Sequence, residues 1–101
     1  MTLQIIGLNH NTAPIELREQ VVFSGDEIVR ALKSVVSLPG IEEVIILSTC
    51  NRTEFYIIAE NDSSERLHHW LISEKSLGPA FENSIFIRSN DAAIRHIFRV
   101  A

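Results

Sequence analysis

The sequence has a single cysteine, Cys50, among its 101 residues. An internal disulfide is therefore excluded, and a lone free thiol is typical of a reducing, cytoplasmic protein. No apolar run approaches the roughly 20 residues that span a bilayer, and the N-terminus lacks the basic and apolar regions of a secretory signal. Basic residues are also scarce: nine Lys and Arg stand against 13 Asp and Glu. The net charge of -4 argues against strong non-specific binding to nucleic acid.

Glycine is sparse as well. The four glycines, Gly7, Gly25, Gly40 and Gly78, stand far apart, so the sequence has no Gly-x-Gly-x-x-Gly fingerprint for a dinucleotide. The four histidines are scattered and, with one cysteine, make no metal-ligand pattern. We therefore expect neither a nucleotide-binding motif nor a metal site in this chain.

What the sequence contains is an alternation of strand and helix patterns within one domain. Apolar stretches predict strands over 3–8, 41–47, 55–59 and 84–87, and helices are predicted to start near Ser24, Asn61 and Asn90. A short helical turn is also expected within 15–23. The order β-α-β-β-α-β, followed by a helix, predicts an α+β, ferredoxin-like split βαβ fold. Such a fold has a four-stranded antiparallel sheet with two helices on one face, here plus a C-terminal helix.

Cys50 lies in the run 48–54, Ser-Thr-Cys-Asn-Arg-Thr-Glu, between two predicted strands. Because a short link between strands implies an antiparallel hairpin, the thiol is predicted at a hairpin tip. Arg52 would favour the thiolate and could bind a carboxylate with two hydrogen bonds, while Thr49 and Asn51 could orient a carbonyl. This set suits acyl transfer from a carboxylate-bearing substrate. The alternative is an inert, buried cysteine at a strand end, with Arg52 paired to Glu54.

Two sequence blocks carry a family signature: 7–14, Gly-Leu-Asn-His-Asn-Thr-Ala-Pro, and 47–56, Leu-Ser-Thr-Cys-Asn-Arg-Thr-Glu-Phe-Tyr. Together with segments 17–19 and 96–101, which match in order, they resemble the N-terminal signatures of the glutamyl-tRNA reductase family. The resemblance implies that Cys50 attacks the ester carbonyl of glutamyl-tRNA. It also implies that NADPH reduces the thioester to glutamate-1-semialdehyde for tetrapyrrole (heme) biosynthesis. Thr49, Cys50, Asn51 and Arg52 would then bind the substrate, and His96 would share in catalysis.

Two histidines have competing interpretations. If Ile94, Ile97 and Phe98 face the sheet, helical geometry turns His96 away from it, and His96 is then a solvated surface residue. A catalytic His96 requires a rotated helix or a further part of the protein on that side. His10 either borders the cleft or hydrogen-bonds within its own turn.

The resemblance further implies what this chain lacks. The family's NADPH and dimerisation domains lie further along, and Val100-Ala101 offers no Gly or Pro to end a helix. We expect 1–101 to be the glutamyl-tRNA-binding and catalytic N-terminal domain, truncated within its last helix and unable to perform the reduction alone. A homodimer and an aldehyde-receiving aminotransferase are expected partners. The competing hypothesis is a non-catalytic ferredoxin-like module that binds a ligand or another protein.

Overall fold

A four-stranded antiparallel sheet with strand order β2-β3-β1-β4 organises the chain, and the computed structural model describes residues 1–101. The strands are β1 (Thr2–Asn9), β2 (Ile41–Ser48), β3 (Arg52–Ala59) and β4 (Phe86–Ser89). The helices are α1 (Ile15–Gln20), α2 (Gly25–Val36), α3 (Ser63–Lys75), α4 (Pro79–Ser84) and α5 (Asn90–Val100). None of these helices combines the length and apolar composition needed to cross a membrane. The predicted α+β, ferredoxin-like fold is confirmed.

Two apolar clusters lie on opposite faces of the sheet, because successive residues of a strand point to opposite sides. The larger cluster has 16 buried residues, among which Ile6 and Phe55 pack with side chains from α1 to α4. The smaller cluster consists of Ile5, Phe86 and Ala93, and Ala93 belongs to α5. The helix α5 therefore covers part of the second face, where the polar side chains of β3 also lie.

The orientation of α5 differs from the expectation. Ala93 is fully buried, whereas Ile94 is 46% and Phe98 is 77% exposed. Because residues 93, 96, 97 and 100 share one side of a helix, α5 packs on the sheet through Ala93 and brings His96 inward. The small Ala93 side chain allows α5 to lie closer to the sheet than the larger Ile94 and Phe98 side chains would. Of the three residues that one interpretation turned toward the sheet, Ile97 packs there, whereas for Ile94 and Phe98 that interpretation was wrong; the rotated helix of the other interpretation is observed.

Arg52 and Glu54, two functional side chains that were expected in a loop, belong to strand β3. β3 begins at Arg52 rather than Phe55, with Arg52 opposite Asn9 and Glu54 opposite Gly7 on β1. β4 likewise lies two residues later than expected. The helix α4 was not predicted, because Gly78-Pro79 is a pattern typical of a helix end, although proline is also favoured in the first turn of a helix.

A charged clamp fixes the start of α2 to the end of α3. The Glu27 carboxylate accepts the backbone N–H of Ser24 at 3.2 Å, as in a capping box, and also accepts from Lys75 Nζ at 2.8 Å. Lys75 also donates to the Val22 carbonyl at 2.8 Å and lies 4.3 Å from the centroid of the Phe23 ring. The hydrogen bond from Lys75, with those from Ser24, lowers the pKa of Glu27 from 4.5 to about 2.

Candidate functional site

Cys50 lies in the short connection between β2 and β3, and it is exposed. Thr49 fixes this connection from within. Its N–H donates to the Arg52 carbonyl at 2.8 Å, and its hydroxyl oxygen accepts the backbone N–H groups of Asn51 and Arg52 at 3.2 and 3.3 Å. The thiol is thus held at a defined, accessible tip, which is inconsistent with the buried-cysteine alternative. The roles of Cys50, Thr49 and Asn51 toward a substrate stay predictions.

The Arg52 guanidinium pairs with Glu54, as the alternative interpretation of the sequence expected. Arg52 Nη1 lies 3.4 Å from Glu54 Oε2, and no hydrogen bond joins Arg52 to Cys50. The Arg52 side chain keeps 21% exposure. Since a guanidinium has five N–H donors, one contact with Glu54 leaves most of its donors available for another anion.

Glu54 is the buried centre of the site, and its role was not predicted from the sequence. Its side chain is fully buried. Oε2 accepts from Arg52 and lies 2.7 Å from His96 Nε2, while Oε1 accepts the Tyr56 hydroxyl. Burial and this hydrogen bond raise the pKa of Tyr56. A buried carboxylate is tolerated when it is paired and hydrogen-bonded, and Glu54 has three such partners. The alternation of Arg52, Glu54 and Tyr56 along β3 was the signal that could have identified this cluster.

Gly7 makes the room for Glu54. The two residues are register partners on β1 and β3. A Cβ atom at position 7 would lie 2.4 Å from the Thr53 carbonyl oxygen, 2.9 Å from Glu54 Cα and 3.0 Å from Glu54 Cγ. Two of these atoms belong to the backbone and cannot move without disturbing the sheet. Glycine at position 7 is therefore a condition for the buried carboxylate.

His96 reaches the same carboxylate from α5. Its side chain is only 12% exposed, and its ring centroid lies 5.0 Å from that of Phe86. The interpretation of His96 as a solvated surface residue is therefore wrong. Because Nε2 lies against Glu54, Nδ1 is the ring nitrogen left for another partner. The catalytic role of His96 stays a prediction.

A cavity of about 350 Å³ connects these groups with the loop after β1. Its lining is mostly polar and consists of Asn9, Asn11, Thr12, Arg52, Phe86, Arg88, His96, Arg99 and Val100. Two predicted site residues, Arg52 and His96, therefore meet at one cavity. Thr49, Cys50 and Asn51 lie outside the lining, next to Arg52 along the chain. His10 is exposed and outside the lining as well, and its place in a cleft stays a prediction.

The loop 9–12 is rigidified by its own side chains. The Asn11 N–H donates to Asn9 Oδ1, and the Asn9 N–H donates to the Thr12 hydroxyl oxygen, both at 2.9 Å. Short side chains that bond to nearby backbone groups are typical of such turns. The signature block 7–14 thus shapes one wall of the cavity.

A second, larger cavity of about 1070 Å³ runs beside the edge strand β2. Twelve of its 14 lining residues are hydrophobic, including Val44, Ile45 and Ile97. Its two charged residues, Lys33 and Glu43, form no ion pair, so the clustered charged groups of the candidate site belong to the smaller cavity.

The residues present do not fit NADPH. Gly7 lies in β1, Gly25 opens α2, Gly40 occupies a turn with φ of 86°, and Gly78 precedes α4. No strand-to-helix turn therefore carries the clustered glycines that let a pyrophosphate approach the backbone. No group of three or more His, Cys, Asp or Glu side chains is placed to hold a metal ion.

Fold and site together define a ferredoxin-like α+β domain with an exposed thiol two residues before Arg52, whose side chain lines a cavity with other charged groups. The sequence of this domain identifies its family. The model for "Glutamyl-tRNAGlu reductase, N-terminal domain" matches residues 6–101, and the chain belongs to this family. The resemblance stated from the two sequence blocks is confirmed.

Individual relatives agree with the family model. The chain is 48% identical to glutamyl-tRNA reductase of Xylella fastidiosa (strain M12) and 46% identical to that of Xanthomonas campestris pv. phaseoli, over all 101 residues. It spans 22% of the length of each. Among solved structures, glutamyl-tRNA reductase from Methanopyrus kandleri matches 97% of the chain with a TM-score of 0.66 and 28% identity. That match covers 21% of the archaeal chain.

Proposed function

We propose that this chain is the catalytic N-terminal part of an NADPH-dependent glutamyl-tRNA reductase, in which Cys50 takes the glutamyl group from glutamyl-tRNA. The observation that carries the proposal is the exposed thiol on a turn fixed by Thr49, next to the charged network of Arg52, Glu54 and His96. The names of the relatives supply the substrate and the reductase activity.

In the proposed step, the Cys50 thiolate bonds to the carbonyl carbon of the ester between glutamate and tRNA. The bond from that carbon to the ribose oxygen then breaks, and the leaving oxygen takes a proton. Thr49 holds the N–H groups of Asn51 and Arg52, whereas the Cys50 N–H makes no backbone hydrogen bond. The Cys50 N–H is therefore the loop donor free to stabilise the developing oxyanion.

Glu54 positions two of the groups that this step uses. It holds His96 through Nε2, so that Nδ1 faces away from the carboxylate and, when histidine is in its doubly protonated form, can supply the proton for the ribose oxygen. It also holds Arg52 by one nitrogen, which leaves further N–H donors for the carboxylate of the substrate. The exposed side chain of Asn51 can orient the glutamyl group from the turn.

The contribution of this chain ends at the thioester, because its residues do not fit NADPH. Reduction to glutamate-1-semialdehyde, the precursor in tetrapyrrole biosynthesis, belongs in this proposal to the four fifths of the relatives' length that the chain does not span. Residues 1–101 are thus proposed as the glutamyl-tRNA-binding domain. A homodimer and a partner aminotransferase remain predictions from the resemblance, and a cytoplasmic location remains a prediction from the single free cysteine.

The competing hypothesis, a non-catalytic binding module, gains support from the Arg52–Glu54 pair, since this pair gives Arg52 a structural role. The two hypotheses differ in what they require of the thiol. Replacement of Cys50 by Ala or Ser in the intact protein should lower reductase activity by about 10³-fold or more if the sulfur forms the acyl bond. Serine preserves size but not an easily ionised thiol. Unchanged turnover in both variants would favour the binding module.

A further inference from the structure

Positive charge gathers at one cavity of an otherwise acidic chain. Of the nine Lys and Arg residues, Arg52, Arg88 and Arg99 all line the 350 Å³ cavity, together with His96. No acidic residue belongs to the lining. The chain's ion pairs involve Arg52, Lys75 and His96. Arg88 and Arg99 thus have no carboxylate partner, and such uncompensated positive charge favours the binding of anions at the cavity.

Arg88 and Arg99 lie at the mouth of this cavity. Both are exposed, whereas the side chains of Arg52 and His96 are only 21% and 12% exposed. The Arg88 guanidinium lies 5.1 Å from the centroid of the Phe86 ring, the same ring that contacts His96, and its Nη1 donates to the Ile87 carbonyl at 3.0 Å. Arg99 lies one turn after His96 on α5, and residues three apart are neighbours on a helix surface.

We propose that Arg88 and Arg99 form a phosphate subsite, which binds a phosphodiester near the 3′ end of the RNA while the aminoacyl group enters toward Arg52 and His96. One substrate carboxylate is matched by Arg52 alone, so the two exposed guanidinium groups exceed what the glutamyl group requires. Phosphate oxygens accept the paired N–H donors of arginine. This subsite rests on the proposed function and would let an acidic chain engage RNA.

The first test measures RNA affinity of the intact protein. Nonacylated tRNA for glutamate is titrated by fluorescence anisotropy at several salt concentrations against R88Q, R99Q and the control R95Q. Arg95 is exposed on the same helix but lies outside the cavity. We expect R88Q and R99Q each to raise Kd about tenfold and to reduce the salt slope by about 0.7, as one lost phosphate contact on a single strand implies. R99K should recover part of the loss. If R88Q and R99Q have the same tRNA affinity and the same salt slope as R95Q, the proposed phosphate subsite is wrong.

A second measurement separates RNA contacts from aminoacyl contacts. Rates of Cys50 acylation are compared for glutamyl-tRNA and for a small glutamyl thioester without RNA. In R88Q and R99Q the acylation rate with glutamyl-tRNA, divided by the rate with the small thioester, should fall about tenfold. An equal fall with both substrates would assign the two arginines to the glutamyl carboxylate and contradict the proposal.

The same experiments distinguish failure of this subsite from failure of the proposed function. C50A should abolish acylation and still bind tRNA, because it changes no charge at the cavity mouth. If wild type binds tRNA through Arg88 and Arg99 but never becomes acylated, the function is wrong and the subsite stands. Thermal melts by circular dichroism verify that each variant is folded.

Discussion

Replacing Glu54 by glutamine should destabilise the chain, because Glu54 joins three side chains beneath α5. Glutamine keeps the size of the side chain and an oxygen that can accept the Tyr56 hydroxyl. It removes the negative charge, however, and directs an amide NH₂ toward the Arg52 and His96 nitrogens that now face Oε2. The substitution therefore tests the charge of Glu54 with little change in packing.

The magnitude follows from the contacts of Glu54. A hydrogen bond to a charged group contributes about 1.5–3 kcal/mol, and removing one partner of a buried ion pair costs about 3–5 kcal/mol. Water reaches the partly exposed Arg52, and the Tyr56 hydrogen bond is retained, so we expect a loss below the upper end of the ion-pair range. The free energy of unfolding should fall by about 2–4 kcal/mol, and each kcal/mol should lower Tm by about 4–8 °C for a domain of this size.

Urea unfolding of the 101-residue chain at pH 7, followed by far-UV circular dichroism, measures this loss. The matched control is Glu42→Gln, an exposed glutamate on the neighbouring strand β2, which should change stability by no more than about 0.5 kcal/mol. If Glu54→Gln unfolds within the same margin of wild type, the charged network contributes nothing to the fold, and its role in positioning Arg52 and His96 loses its basis.

Three further substitutions test separate features. Gly7→Ala forces a Cβ against the backbone of β3 and should lower the free energy of unfolding by at least about 2 kcal/mol. Gly25→Ala is the control, because its Cβ meets no atom within 4 Å. Equal melting temperatures of the two variants would contradict the close approach of β1 to β3 at Gly7. Because the pKa of Glu27 is about 2 in the folded chain and 4.5 otherwise, its contribution is full above pH 4.5 and is lost as the pH falls toward 2. Urea midpoints of wild type should therefore fall more steeply over that interval than those of Lys75→Met, and parallel curves would refute the clamp. Thr49→Val lacks the hydroxyl acceptor of the turn and should slow Cys50 acylation about tenfold without lowering the urea midpoint. Thr49→Ser keeps the hydroxyl and should not slow acylation. Equal acylation rates of Thr49→Val and Thr49→Ser would show that the turn does not depend on this hydroxyl.

The order of elements could be predicted because its signals are local. Ser24 and Glu27 mark the start of α2 within four residues, and the connection at 49–51 is short enough to require a hairpin. Pro79 shows the limit of such signals, since proline both ends one helix and favours the first turn of the next. The sequence alone does not decide between these two effects.

The centre of the site depends on contacts that are distant in sequence. Glu54 was not selected, because its burial requires Gly7 on β1 and a helix from the end of the chain. The rotation of α5 depends on the fit of Ala93 against the sheet, whereas the sequence pattern favoured the larger Ile94 and Phe98 as the residues that face the sheet. The convergence of cationic side chains likewise requires β4 to pair with β1. The hairpin that carries Cys50 was predictable because a short link between strands fixes it locally, whereas the sequence left the exposure of the thiol open.

The most direct test of the account is whether Cys50 becomes acylated. The intact protein is incubated with glutamyl-tRNA in the absence of a reductant, and the products are examined by mass spectrometry after proteolysis. The account predicts one glutamyl group on the peptide that contains Cys50, released by hydroxylamine and absent from the Cys50→Ala variant. An unmodified Cys50 peptide, or a glutamyl adduct that persists in Cys50→Ala, would contradict it.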